Sequence, residues 1–297
     1  GEIMISKGVY AASLSIINED SSLNISETIA HASSLIEKGL HGVFFFGSTG
    51  QSQLISISEK KDLISKLSTH KMRKFFFLGT GNNSLKENVE LIKYGMEYNF
   101  NTFLIMPPAY YKNNTDEGVF RFYSKIISET PKIKIILYNF EKLSGFKFTP
   151  ELVTKLVNAF PKNIIGCKDS SYNLFEVLKI PNFLMFPGSE AKLLKGLNLG
   201  CSGCISAVTN VTHSLSRKVF DDFENKKEQT SNERLILIRE TFDKYNLISA
   251  LHSFMSVDKK NYSNLLPPLN LLSLEQQKEL LNKLERLKFF NSNTIAA

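Results

Sequence analysis

Short, continuously apolar runs recur along this chain at a nearly even interval, and that interval restricts the fold more than any single residue does. The runs cover residues 9–13, 42–47, 75–79, 102–106, 133–138, a stretch ending at Lys168, 183–186 and 203–206. Each has strand length, and none alternates apolar with polar positions, as expected of parallel strands covered on both faces. Their ends fall roughly twenty to thirty residues apart, which leaves room for one helix per strand, the repeating unit of a parallel sheet. The gaps carry helix signals. Ser84-Leu85-Lys86-Glu87 is a capping box ahead of Val89, Leu91, Ile92 and Tyr94, and Thr149-Pro150 supplies an N-cap with proline at the first helical position. Ser26 before Ile29, Leu35 and Ile36 reads the same way.

After residue 206 the strands stop. Helical stretches follow at 215–224, 232–254 and 274–290, the last opened by the capping box Ser273-Leu274-Glu275-Gln276 just past Pro267-Pro268. Eight strands alternating with helices, then an appendix of about three helices, predict an α/β fold. It is a closed (β/α)8 TIM barrel over residues 4–208, with 209–297 packed on it in one compact unit.

Several function classes are disfavoured. No run of eighteen apolar residues is present to span a bilayer, so no membrane partner is expected. Gly1-Glu2-Ile3 before Met4 reads as an expression remnant, and the apolar residues after it are too few for a signal sequence. Three cysteines, an odd number in a chain this long, point to a reducing cytoplasm rather than a disulfide framework. Cys201 and Cys204 form a C-x-x-C, but without a second pair or nearby histidines that is half a zinc site, and no metal is expected. The net charge of +7 raises the question of nucleic acid. The lysines are scattered, however, and Lys71-Met72-Arg73-Lys74, Lys226-Lys227 and Lys259-Lys260 lack interleaved aromatics, which describes a solvated surface.

The chemistry concentrates at Asn163-Ile164-Ile165-Gly166-Cys167-Lys168-Asp169-Ser170-Ser171. A lysine ends an apolar run just where turn-forming residues begin, and apolar walls there disfavour its ammonium form. A desolvated amine is a nucleophile that condenses with a ketone to a Schiff base, whose protonated nitrogen then draws electrons from the neighbouring carbon. Taken alone, a lysine at a strand end is more often one whose charge reaches solvent along its stem. Other strand ends carry polar groups at the face where barrels do their work. Gly47-Ser48-Thr49-Gly50-Gln51 offers hydroxyls and backbone N–H groups to a carboxylate, although taken alone such a pentapeptide is more often a plain strand-to-helix turn. Gly79-Thr80-Gly81, Pro107-Pro108-Ala109-Tyr110-Tyr111, Tyr138-Asn139 and Pro187-Gly188-Ser189-Glu190 follow at later ends, and a tyrosine at such a place can simply pack on the rim.

Together these pieces resemble the pyruvate-dependent class I aldolases, the family that includes dihydrodipicolinate synthase and N-acetylneuraminate lyase. G-S-T-G at 47–50, G-T-G at 79–81, Y-Y at 110–111, Y-N at 138–139, I-G-x-K at 165–168 and G-C-I-S at 203–206 come in that family's order, across nearly the whole chain. The resemblance implies that Lys168 forms an imine with pyruvate or another 2-keto acid and that Tyr138 shuttles protons above it. It also implies that Ser48 and Tyr111 complete the relay, Tyr111 from a neighbouring subunit of a homotetramer. Thr49 and the Ser48 backbone would hold the pyruvyl carboxylate, while the main chain near Gly188 and Ile205 would line the pocket. No metal or organic cofactor is implied, because the imine is itself the electron sink.

Departures from the family pattern bear on the second substrate. Dihydrodipicolinate synthases carry an arginine two residues before the glycine of the loop after Y-N, to hold the carboxylate of aspartate semialdehyde; here that position is Leu143, which cannot donate a hydrogen bond. Leu143-Ser144-Gly145 looks more like the neuraminate lyases, yet those carry Asp-Glu where this chain has Glu190-Ala191. Gln51 stands in place of the family's usual glutamate. The expectation is a cytoplasmic lyase or aldolase joining pyruvate and an aldehyde, with a 2-keto-3-deoxy sugar acid as substrate. The alternatives are dihydrodipicolinate synthase with an atypical carboxylate site, N-acetylneuraminate lyase, and a non-catalytic barrel that binds a keto acid.

Overall fold

Eight parallel strands form one sheet that curls back on itself in this computed structural model, which describes residues 4–290. The remnant read at residues 1–3 and the end of the C-terminal segment past 290 lie outside the described residues. The strands are β1 (Gly8–Ala12), β2 (Gly42–Phe45), β3 (Phe76–Gly79), β4 (Thr102–Ile105), β5 (Lys134–Asn139), β6 (Ile164–Asp169), β7 (Leu184–Pro187) and β8 (Gly203–Ser206). Their order is β7-β6-β5-β4-β3-β2-β1-β8. At the remaining seam between β7 and β8, Ser202 N donates to Met185 O at 2.8 Å and Met185 N to Ser202 Oγ at 3.1 Å. The barrel is thus nearly closed. At Gly203 the chains approach so closely that a Cβ would lie 1.8 Å from the Gly8 carbonyl oxygen, and φ there is +143°, so only glycine serves.

Strand periodicity sorts the side chains into two layers. Tyr10, Phe44, Phe77, Leu104, Ile136, Tyr138, Phe186 and Ile205 fill the barrel interior. Their neighbours Val9, Val43, Phe45, Phe76, Phe103 and Leu137 face outward, into a second core beneath the helices. Burial on both sides explains the unbroken apolar runs.

Around the strands lie α1 (Ile25–Glu37), α2 (Ile57–Leu67), α3 (Leu85–Glu97), α4 (Asp116–Glu129), α5 (Glu141–Ser144), α6 (Pro150–Ala159) and α7 (Leu193–Asn198). The appendix is α8 (Thr209–Glu224), α9 (Asn232–Asp243), α10 (Leu247–Ser256) and α11 (Leu274–Arg286). Ser84, Thr149 and Ser273 cap their helices as expected, each side chain accepting an N–H of the first turn. The cap of α1 is Asn24 rather than Ser26: its side chain accepts from Glu27 N at 3.0 Å. The stretch 232–254 is two helices, because Asn246 leaves the helix and caps the next one through Ser249 N. Among the described residues the appendix therefore holds four α-helices where about three were expected.

The gap between β6 and β7 holds no helix. Residues 170–183 instead wrap around the Asp169 carboxylate, which accepts from the backbone N–H of Tyr172, Leu174 and Phe175 and from Asn139 Nδ2 at 2.8–2.9 Å. A local carboxylate that collects three amides offers the backbone an alternative to helix bonds.

Candidate active site

The parallel register of β5 and β6 pairs Tyr138 with Lys168 and Asn139 with Asp169. Tyr138 and Lys168 therefore fall on one face, toward the barrel interior, at the carboxyl ends of their strands. Lys168 is 3% exposed. Its Nζ donates to the Tyr138 phenol oxygen at 3.2 Å and lies 4.4 Å from the centre of that ring. The same phenol oxygen is 3.5 Å from Ser48 Oγ, so Lys168, Tyr138 and Ser48 form a continuous polar chain across three strand ends. Beside Ser48 and Tyr138 is a cavity of about 20 Å³, bounded also by Ser52, Gly81, Leu104 and Met106, which is enough space for one water molecule.

Ser48 and Thr49 belong to a tight turn, Ser48–Gly50, whose own bonds use the N–H groups of Gly50 and Gln51. Thr49 is buried. Gln51 sits in the left-handed region at φ 59°, and its Oε1 accepts from Leu266 N at 2.8 Å. An acceptor there ties the turn to the C-terminal segment, and the glutamine oxygen supplies it as a carboxylate would.

Gly188 follows β7. A Cβ there would lie 2.0 Å from Ser170 Oγ, so the β6 and β7 loops meet only because this residue lacks a side chain. Ile205 is fully buried in the inner layer, paired with Tyr10 across β1 and β8. Leu143 lies on α5 at the mouth and is 44% exposed. Tyr111 is not brought to the polar chain. It stands on the rim 76% exposed, edge-on to Tyr110, which is 78% exposed with φ 86°.

Two arrangements at the mouth escaped the sequence reading, the first of them the partners of Glu190, a residue noted there only as following the seventh strand. Glu190 is fully buried and accepts from Ser206 Oγ at 2.7 Å, Thr212 Oγ1 at 2.5 Å and Arg239 Nη1 at 2.8 Å. Arg239 comes from α9 and also donates to Ser206 Oγ and Asp243. Burial opposes its charge, but Glu190 and Asp243 outweigh that and hold its pKa above the usual value. Ser206 and Glu190 are thereby engaged with each other and with Arg239. The second is Lys112, whose stem packs on Gly145: a Cβ at Gly145 would lie 3.2 Å from its Nζ. An ammonium thus stands beside the loop that carries Leu143. Among the described residues no group of three or more His, Cys, Asp or Glu could hold a metal ion, and the three cysteines are free.

Residues 5–287 match the profile of the Dihydrodipicolinate synthetase family. The chain belongs to that family. As a member it is a class I, pyruvate-dependent lyase or aldolase. A 2-dehydro-3-deoxy-D-gluconate/2-dehydro-3-deoxy-phosphogluconate aldolase of Picrophilus torridus is 28% identical over 260 residues, covering 82% of this chain and 95% of the relative. A 4-hydroxy-tetrahydrodipicolinate synthase of a Hydrogenobaculum species is 32% identical over 181 residues, covering 59% of this chain and 61% of the relative. Among solved structures, dihydrodipicolinate synthase from Agrobacterium tumefaciens superposes with a TM-score of 0.86 at 24% identity, covering 94% of this chain and 99% of that one, which is a likeness of fold. No helix among the described residues is long and apolar enough to cross a membrane.

Proposed function

We propose that the protein makes or breaks the carbon–carbon bond between pyruvate and an aldehyde through a Schiff base on Lys168, and that its substrate is a 2-keto-3-deoxy sugar acid. The observation that carries this reading is the buried Lys168 amine 3.2 Å from the Tyr138 phenol. In its neutral form the amine adds to the keto carbon, and loss of water leaves a protonated imine. Cleavage sends the bonding electrons into that imine, releasing an aldehyde and an enamine, which takes a proton and hydrolyses to pyruvate. Tyr138 is the proton carrier at these steps, with Ser48 as its next link. Thr49 and the Ser48 backbone hold the pyruvyl carboxylate, and Gly188 and Ile205 line the keto-acid pocket.

Tyr111 completes the relay in a neighbouring subunit of a homotetramer, which gives its exposed ring a purpose. Residues 4–208 and 209–297 act as one unit, in the cytoplasm, where the three thiols stay reduced. Leu143 favours a hydroxylated partner over a carboxylated one, and the Picrophilus torridus relative's name points the same way. The apparent rival, a barrel that binds a keto acid without turnover, has no use for the tyrosine beside the lysine. Incubation with pyruvate and borohydride followed by peptide mass mapping tests the mechanism. One adduct per chain on Lys168, lost in Lys168→Ala, is expected; an adduct elsewhere, or none at saturating pyruvate, refutes it.

A further inference from the structure

Between α1, the start of α8 and the appendix helices lies a cavity of about 720 Å³ that the groups around Lys168 do not use. Its lining has two characters. The buried Leu35, Val211 and Phe254 give it an apolar floor, extended by Phe289, whose ring stacks on Phe254 at 5.6 Å. The rim carries Lys38, Lys218, Lys259, Lys288 and Arg234 against one acid, Asp258. Lys218 is paired with Asp222 at 2.6 Å, and Arg234 donates to the carbonyls of Leu287 and Lys288, both at 2.7 Å. The ammonium groups of Lys38, Lys259 and Lys288 make no hydrogen bond or ion pair among the described residues.

Like charges meet here. Burial lowers the pKa of Lys38, and the Lys259 charge lowers it further against the opposing pull of Glu37. Burial pushes His213 down to about 4, with Lys38 contributing. His31, between Tyr262 OH at 2.7 Å and Asn210 Oδ1 at 2.8 Å, is held neutral at the bottom, its pKa depressed to about 4 chiefly by burial. A concave site of several hundred Å³ with an apolar floor and a few convergent like charges selects its occupant by chemistry. We propose that this cavity is an effector site for a small organic anion with an apolar body, such as an aromatic carboxylate. The floor takes the body, and Lys38 and Lys259 take the anionic group. The route to the barrel mouth is short: Thr212, in the cavity lining, donates to Glu190 at 2.5 Å and marks a kink in α8, with φ −92° and ψ 17°.

Calorimetry with naphthalene-2-sulfonate, alongside uncharged 2-naphthol and inorganic sulfate, tests the binding. We expect the sulfonate to bind, with affinity reduced at least about tenfold in Lys38→Met/Lys259→Met, the worth of one charge-assisted contact. Both lysines stand on the rim with part of each side chain in solvent, so this variant keeps the fold, and an unchanged Tm verifies it. Leu215→Trp, which fills the cavity, gives a second loss. No binding up to the solubility limit, equal binding of 2-naphthol, or indifference to the lysine variant overturns the site. The effector role has its own arm, which rests on the Schiff-base reading as the binding arm does not. Saturating sulfonate is expected to change the rate of pyruvate-dependent trapping in the wild type and not in Thr212→Val, and an unchanged wild-type rate beside lysine-dependent binding overturns that role.

Discussion

Arg239 and Glu190 form an ion pair at 2.8 Å with both side chains buried, and it fastens the helical appendix to the mouth of the barrel. Glu190 follows β7, Arg239 lies on α9, and Ser206 at the end of β8 bonds to both. The pair explains why the acid after Gly188 is not free to meet a substrate here. Its oxygens are already occupied by Arg239, Ser206 and Thr212.

Removing one partner should therefore cost far more than removing both. Arg239→Met leaves a buried carboxylate without its counterion, and a loss of roughly 3–5 kcal/mol is expected. Glu190→Gln combined with Arg239→Met removes the uncompensated charge and should recover a good part of that loss. Urea unfolding of the two variants decides the matter, and equal losses in both would show that the pair does not fasten the appendix.

Tyr138→Phe keeps the ring beside Lys168 and removes the phenol that the amine reaches. Turnover should fall by about 10²–10⁴-fold, the usual range for one positioned proton-transfer group. The borohydride adduct on Lys168 should still form, more slowly. Near-normal turnover in this variant would transfer the proton work to Ser48 or to water in the small cavity beside it.

The parts of the fold legible in the sequence were those written locally. Burial on both faces gives unbroken apolar runs, so the strands could be read, and Lys168 drew notice because it ends such a run, whereas the roles given to it and to Tyr138 rest on the family resemblance. What escaped was long-range or a competition between close alternatives. Glu190 and Arg239 are far apart in sequence and on separate elements, so no spacing rule joins them. The missing helix between β6 and β7 follows from Asp169 drawing three amides to itself, which its position after an apolar strand does not announce. Asn24 and Ser26 are both good caps two residues apart, and tertiary packing chose the first.

The buried histidines make stability depend on acidity. His31 and His252 are each lowered from 6.5 to about 4, chiefly by burial. His252 donates through Nδ1–H to the Tyr262 carbonyl at 2.8 Å, while its Nε2 has no hydrogen-bond partner among the described residues, so an added proton there finds no acceptor. Between pH 6.5 and 4 the unfolded chain binds more protons than the folded one. Stability is therefore full above 6.5 and lost as pH falls toward 4, by up to about 1.4 kcal/mol per pH unit for each group. Urea midpoints at pH 7 and pH 5 should differ accordingly, and His252→Gln should flatten the difference. A midpoint independent of pH over that range would mean that these rings titrate normally.

Tyr111 offers a test of assembly. Its exposed ring has a role in catalysis only if another chain receives it. Tyr111→Phe is expected to lower turnover by roughly a hundredfold while leaving the Lys168 adduct measurable, and sedimentation should show a tetramer. Full activity in a demonstrated monomer would remove Tyr111 from the mechanism.

The second substrate turns on Leu143 and its neighbour in space, Lys112. An aldehyde bearing a carboxylate near this loop meets a leucine, which offers no donor, and a single ammonium against Gly145 in place of a two-pronged guanidinium. A sugar-derived aldehyde needs only hydroxyl partners. Cleavage of a 2-keto-3-deoxy sugar acid should therefore exceed condensation with aspartate semialdehyde in kcat/KM by at least about a hundredfold, or some 2.7 kcal/mol. Leu143→Arg should narrow the gap by supplying the fork. Lys112→Ala separates the remaining possibility. If the wild type prefers the semialdehyde and Lys112→Ala abolishes that preference, the lysine does the work of the arginine, and the protein is a synthase that holds its carboxylated substrate from the other side of the loop.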